Sequence, residues 1–160
     1  MQLVGFIVNE EYFGVDILGV QEIIRAIEIT EVPNAPDVIE GVINLRGNII
    51  PVMELRKRLN LPVRPEDMKE DVWILIINIE DRVTGFIVDE VTKVLRIDVD
   101  AMEPTPEIVG EGLKSQYITG VCEIEKRLHT ILNFEEILQV KEIDKIKDLE
   151  KLSARMRAVK

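Results

Sequence analysis

The chain can be laid over itself, and this internal duplication constrains its fold more than any other property of the sequence. At an offset of 79 residues, Gly41, Val42, Leu45, Ile49, Val52, Leu55 and Leu59 meet Gly120, Val121, Ile124, Leu128, Ile131, Phe134 and Leu138. At an offset of 73, Val4, Phe6, Phe13, Val15, Asp16, Leu18, Ile24 and Pro33 meet Ile77, Ile79, Phe86, Val88, Asp89, Val91, Ile97 and Pro106. The two offsets differ by six residues, inserted in the second copy after its prolines. Matched positions are nearly all apolar, so what the copies share is core. The copies run roughly over 1–70 and 71–140, and the 160 residues read as one domain built from two similar subdomains.

Within each copy the pattern is mostly that of strands: short runs rich in Val, Ile and Phe, bounded by turn residues at Asn9 to Glu11, Glu80 to Arg82 and Pro104 to Pro106. The reading is a mainly β fold of two small barrels. Two stretches carry helical spacing instead. Asp16 to Arg25 sets Ile17, Val20, Ile23 and Ile24 three and four residues apart, and Glu54 to Leu61 puts Leu55 and Leu59 on one face. From Ile143 on, Ile146, Leu149, Leu152, Met156 and Val159 recur at the same spacing, which predicts a C-terminal amphipathic helix over 141–160.

Chemistry is sparse. His129 stands in an apolar run where the first copy has Ile50, and reads as a packing histidine. Cys122 stands opposite Ile43 and reads as a small core residue, while one His and one Cys leave no zinc or redox cluster to build. A single cysteine also fits a reducing compartment. There is no glycine-rich phosphate loop. Asp16 and Asp89 are related by the repeat and read as turn or helix-start residues; Asp98 and Asp100 read as a solvated strand edge. No catalysis, metal or cofactor is expected.

The net charge is −10, and residues 1–140 alone carry −13, because Lys141 to Lys160 hold seven basic and four acidic residues. Such a surface repels nucleic acid and anionic lipid, and the 4% aromatic content leaves little for stacking on bases. No apolar run is long enough to span a bilayer or serve as a leader, so a cytoplasmic protein is expected.

One stretch resists the core reading. In "GVINLRGNIIPV", Gly41 to Val52, Arg46 and Gly47 interrupt an apolar run, and the second copy has Glu125 and Lys126 there. The shared plan therefore does not require Arg-Gly at this turn. Either the turn is an ordinary one with a solvated arginine, or Arg46 is displayed for a partner.

"EEYFGVDILGVQEI" (Glu10 to Ile23), "VIEGVINLRGNIIPVMELRKRL" (Val38 to Leu59), "VTGFIVDEVTKVLRI" (Val83 to Ile97) and "YITGVCEIEKRLHTILNFEEIL" together resemble the CheW family of bacterial chemotaxis coupling proteins over nearly the whole chain. The resemblance implies two SH3-like five-stranded barrels and a non-catalytic adaptor. Its partners would be the regulatory domain of the histidine kinase CheA and the cytoplasmic tips of chemoreceptors, whose helical hairpin enters the groove between barrels; the adaptor would be recruited to membrane-associated receptor arrays. A related module serving another receptor–kinase pathway would look the same. The resemblance places the partner-binding residues at Val20, Glu22, Gly41, Asn44, Arg46 and Gly47. Arg46 then offers a planar fork to an interface, with Glu22 expected to hold it in the free protein. Gly41 is expected to serve a close backbone approach or a positive φ. Val20, whose repeat mate is Lys93, could be core or contact.

Overall fold

The computed structural model describes residues 1–25, 27–35, 39–62, 71–104 and 115–138. Its ten strands are β1 (Gln2–Val8), β2 (Glu11–Asp16), β3 (Val20–Arg25), β4 (Ile39–Leu45), β5 (Asn48–Glu54), β6 (Trp73–Ile79), β7 (Arg82–Val88), β8 (Glu90–Arg96), β9 (Ile118–Ile124) and β10 (Arg127–Leu132). Two one-turn helices, α1 (Leu55–Arg58) and α2 (Phe134–Ile137), follow β5 and β10.

The strands form two five-stranded sheets, ordered β8-β1-β2-β10-β9 and β3-β6-β7-β5-β4, which are the two SH3-like barrels of a mainly β fold. Each sheet takes strands from both halves of the sequence. In copy-relative terms the two orders are the same: third, first, second, fifth, fourth, with the first and second strands from one half and the other three from its mate. The duplication is therefore realised as an exchange, and the chain crosses between barrels after β2 and again after β7.

Four hairpins explain the tight register. Asn9 and Glu10, Arg46 and Gly47, Glu80 and Asp81, and Glu125 and Lys126 all have positive φ between 49° and 88°. Two successive left-handed residues make the two-residue turn whose twist matches that of the flanking strands. Closure of each barrel is also duplicated. Thr30 exchanges both backbone hydrogen bonds with Val42, each 2.9 Å, and Glu103 does the same with Val121 at 2.8 and 2.9 Å.

The main core lies between the barrels. Val4, Phe6, Phe13 and Val15 of one sheet pack with Met53, Leu75, Ile77 and Phe86 of the other and with Phe134 and Ile137 of α2. The Phe86 and Phe134 rings lie 4.7 Å apart, tying α2 to the opposite sheet. A smaller cluster around Ile43, Val52, Ile74 and Ile76 serves one sheet, and Leu3, Leu95 and Ile131 serve the other.

The helix expected over Asp16 to Arg25 is not present. A 3-10 turn at Ile17–Gly19 leads into β3, which pairs antiparallel with β6 through a register shift between Val20 and Glu22. The turn and the shift give Ile17, Val20 and Ile23 a three-residue spacing toward the main core, while Ile24 faces the smaller cluster. β-branched residues half-buried on both faces favour the strand. Asp16 does start the 3-10 turn, its Oδ1 accepting from Leu18 N at 3.0 Å. The helix at Glu54 to Leu61 is α1, shorter than the spacing suggests, with Leu55 and Leu59 fully buried. Asp98 and Asp100 are exposed as expected, but they flank and occupy the 3-10 turn Val99–Ala101 beyond the end of β8. His129 and Cys122 are buried cross-strand partners. The helix expected over 141–160 lies outside the described residues.

Candidate partner-binding site

The β4–β5 turn stands away from the core because its two central residues must be left-handed and cannot point inward. Arg46 has φ 51° and Gly47 φ 88°. An arginine in this region costs about 1 kcal/mol. The Asn44 side chain offsets part of that, its Oδ1 accepting from Gly47 N at 2.9 Å. A Cβ on Gly47 would meet nothing within 4 Å, so glycine is needed there for its φ and not for room.

Arg46 reaches from the turn to β3, on the far edge of the same sheet. Its Nη1 donates to Glu22 Oε1 at 2.9 Å and its Nη2 donates to Glu22 Oε2. This bidentate pair closes the barrel while leaving the Arg46 side chain 66% exposed. The hydrogen bond from Arg46 is the main reason the Glu22 carboxyl is held below its ordinary range, outweighing desolvation, and the same bond raises the Arg46 guanidinium. The pair is thus ionised throughout the neutral range.

Glu22, Asn44, Arg46 and Gly47 therefore form one surface feature. Val20 and Gly41 are placed differently. Val20 is half-buried at the start of β3, packed against the main core. Gly41 is buried, and a Cβ there would lie 2.2 Å from the Thr30 carbonyl oxygen. The close backbone approach expected of Gly41 is the barrel-closing bridge itself. Its mate Gly120 is pressed the same way against Glu103 and Met102.

A second feature bears on the groove between barrels that the resemblance implies, whose lining residues the sequence does not specify. Between the barrels lies a cleft of about 440 Å³ whose walls include Val15, Leu18, Ile77, Ile131 and Phe134. Leu18 is 90% exposed at its rim. None of the clasp residues lines this cleft. The two surfaces are separate.

A third feature is a buried polar network. The Arg56 side chain is 2% exposed; its Nη2 lies 2.5 Å from Asp89 Oδ1, its Nη1 lies 3.3 Å from Glu54 Oε1, and its Nε donates to Asn9 Oδ1. Asn9 N donates to Asp89 Oδ2 at 2.9 Å. Asp89 does sit at the bend between β7 and β8, and its carboxylate is in addition a buried ion-pair partner. Burial is the first cause pushing the Glu54 carboxyl up to about 7, partly opposed by Arg56. Among the described residues, no group of three or more His, Cys, Asp or Glu is placed to hold a metal ion, and no helix is long and apolar enough to cross a membrane.

The model of the CheW-like domain matches residues 2–142. The chain belongs to the CheW-like family. Chemotaxis protein CheW of Helicobacter pylori is 35% identical over 139 residues, covering 87% of this chain and 82% of the relative. That of Thermotoga maritima is 33% identical over 138 residues, covering 86% and 87%. The crystal structure of the scaffolding protein TtCheW from Thermoanaerobacter tengcongensis superposes with a TM-score of 0.77 at 33% identity, covering 88% of this chain and 89% of that one. This CheW-like chain is accordingly a non-catalytic scaffold of chemotaxis signalling.

Proposed function

We propose that the protein is the coupling adaptor that joins the cytoplasmic tips of chemoreceptors to the histidine kinase CheA, and that it works at receptor arrays. The observation that carries this reading is the Glu22–Arg46 clasp. It fixes an exposed guanidinium on a hairpin tip, so little side-chain entropy remains to be lost when a partner's carboxylate or carbonyl binds it. Asn44 and Gly47 shape the turn that presents it; Gly41 and Val20 act through the barrel behind it. In this reading the barrel carrying the clasp meets the kinase, and the cleft takes the receptor hairpin against Leu18 and its apolar walls. Separate surfaces let one adaptor hold both partners at once.

The test is a pull-down and titration with purified CheA and receptor-tip fragments. Arg46→Glu removes the exposed pair and sets two carboxylates together, so it is expected to cost about 1 kcal/mol of stability and to lose kinase association. A sharp fall in stability with binding intact would make Arg46 a structural residue and sink the assignment.

A further inference from the structure

The buried Arg56 network and the open cleft occupy corresponding corners of the two halves. Asn9 opens the β1–β2 turn as Glu80 opens the β6–β7 turn; Glu54 immediately precedes α1 as Asn133 precedes α2; Arg56 is second in α1 as Glu135 is second in α2. Asp89 ends the β7 crossing as Asp16 ends that of β2. All four counterparts, Glu80, Asn133, Glu135 and Asp16, line the cleft.

We infer that the cleft is a recognition site for an arginine supplied by the receptor hairpin, a step that rests on the cleft being the receptor groove. The comparison is internal: in one half these positions ligate a guanidinium, and in the other the acceptors remain while the arginine is replaced by Glu135. The filled corner sets one cation against two carboxylates, whereas the open corner has three carboxylates and an amide among the residues that line the cleft. Among the described residues, the Met1 ammonium lines the cleft and donates to Ile97 O at 3.1 Å, and Arg82, at the start of β7, lies 3.7 Å from Glu80. Existing bonds use Asp16 Oδ1, toward Leu18 N, and Asn133 Oδ1, toward Glu135 N at 3.1 Å.

The occupant's chemistry follows from the spacing. The carboxylates do not converge as metal ligands do, but in the mate corner three nitrogens of one guanidinium each reach a different acceptor. Only arginine presents such a fork at the end of an apolar stem. Val15, Ile77 and Phe134 supply apolar walls for that stem, and Leu18 meets the flanking residues of a helix. Charge complementarity also selects against an acidic segment.

Glu135→Arg supplies the missing guanidinium in cis, where Arg56 sits in the other half. Isothermal titration with a receptor-tip fragment is expected to show affinity reduced roughly tenfold or more, with CheA binding unchanged. Glu135→Gln, which removes charge without filling the corner, is expected to cost only about two- to threefold, and it separates the effect from the loss of an acidic residue in the first turn of α2. A fragment with its tip arginines changed to glutamine is expected to bind the wild type weakly and to lose nothing further with Glu135→Arg. Equal binding of the fragment to wild type and Glu135→Arg, or fully additive losses, would overturn the inference while leaving the adaptor reading intact. A wild-type chain that binds CheA but no receptor fragment would instead fail the reading of the cleft, and the inference with it. Displacement of the fragment by a peptide of residues 141–160 would reassign the corner to the chain's own basic tail.

Discussion

Both barrels are clasped by an ion pair between their third strand and the turn joining their fourth and fifth, but the polarity is reversed. In one, Glu22 of β3 holds Arg46; in the other, Lys93 of β8 holds Glu125, and that bond lowers the Glu125 carboxyl as Arg46 lowers Glu22. Both turns are left-handed at two successive residues. Each clasp therefore takes opposite charges and is indifferent to which side carries which. The choice of arginine at position 46 is thus not imposed by closing the barrel; exposure does not separate the clasps either, since Arg46 is 66% and Glu125 65% exposed, and it is the proposed adaptor role that gives Arg46 a partner. The same contrast recurs deeper in the molecule, where one corner is filled by Arg56 and its counterpart is left open beside Glu135.

The sharpest way to break the comparison of corners is to empty the filled one. Arg56→Met leaves Asp89 buried without its counter-charge and is expected to destabilise by about 3–5 kcal/mol, whereas Glu135→Met, on the exposed counterpart, is expected to stay within about 0.5 kcal/mol. Urea unfolding of the two variants measures the difference; equal losses would mean the corners are not distinguished by burial.

The second effect depends on pH. The folded-state pKa of Glu54, about 7, lies above the ordinary value of 4.5, because burial and the nearby Glu40 and Asp89 outweigh Arg56. The folded protein then holds a proton that the unfolded chain releases between these values. The Glu54 contribution is most favourable below pH 4.5, falls as pH rises toward 7 and is constant above it, by up to about 3 kcal/mol in all. Glu54→Gln is expected to flatten this part of the stability–pH curve relative to the wild type, as read by unfolding between pH 4.5 and 8. Asn133 at the mate position has no such titration to lose.

A smaller effect sharpens the comparison of closures. Gly41→Ala drives a methyl group against the Thr30 carbonyl oxygen at 2.2 Å, a backbone atom that cannot turn aside. The expected loss is about 1–3 kcal/mol. At Gly120 the nearest atom, 2.6 Å away, is Cγ of the flexible Met102, although the Glu103 carbonyl is also close at 2.8 Å. Gly120→Ala is therefore expected to cost less in a parallel thermal unfolding series.

The repeat made two small, mostly β barrels legible, because matched apolar positions mark shared core; five strands in each came with the family resemblance, and the sequence of β3 reads as helix. The repeat could not reveal that the strands are exchanged, since an offset relates the copies without saying which barrel each strand joins. The stretch from Asp16 to Arg25 misled because a 3-10 turn and a register shift reproduce helical spacing within a strand. At the site, Glu22 and Arg46 were legible as opposite charges at family positions. Arg56 was not. It opens a run of three basic residues, Arg56 to Arg58, which in sequence looks like a solvated face. Its burial is decided by Asp89, 33 residues away. The resemblance implied a groove between barrels, but the lining of the cleft was equally hidden, because it forms only where α2, β2 and β6 meet.

The central claim is that the first clasp is displayed for binding and the second only closes its barrel. Reversing each clasp in turn tests it most directly: Glu22→Arg with Arg46→Glu, and Lys93→Glu with Glu125→Lys, each titrated with CheA after thermal unfolding. Both doubles are expected to unfold within about 0.5 kcal/mol of the wild type, and only the first is expected to lose the kinase. Full CheA binding by the first double, or equal loss in both, would contradict the claim.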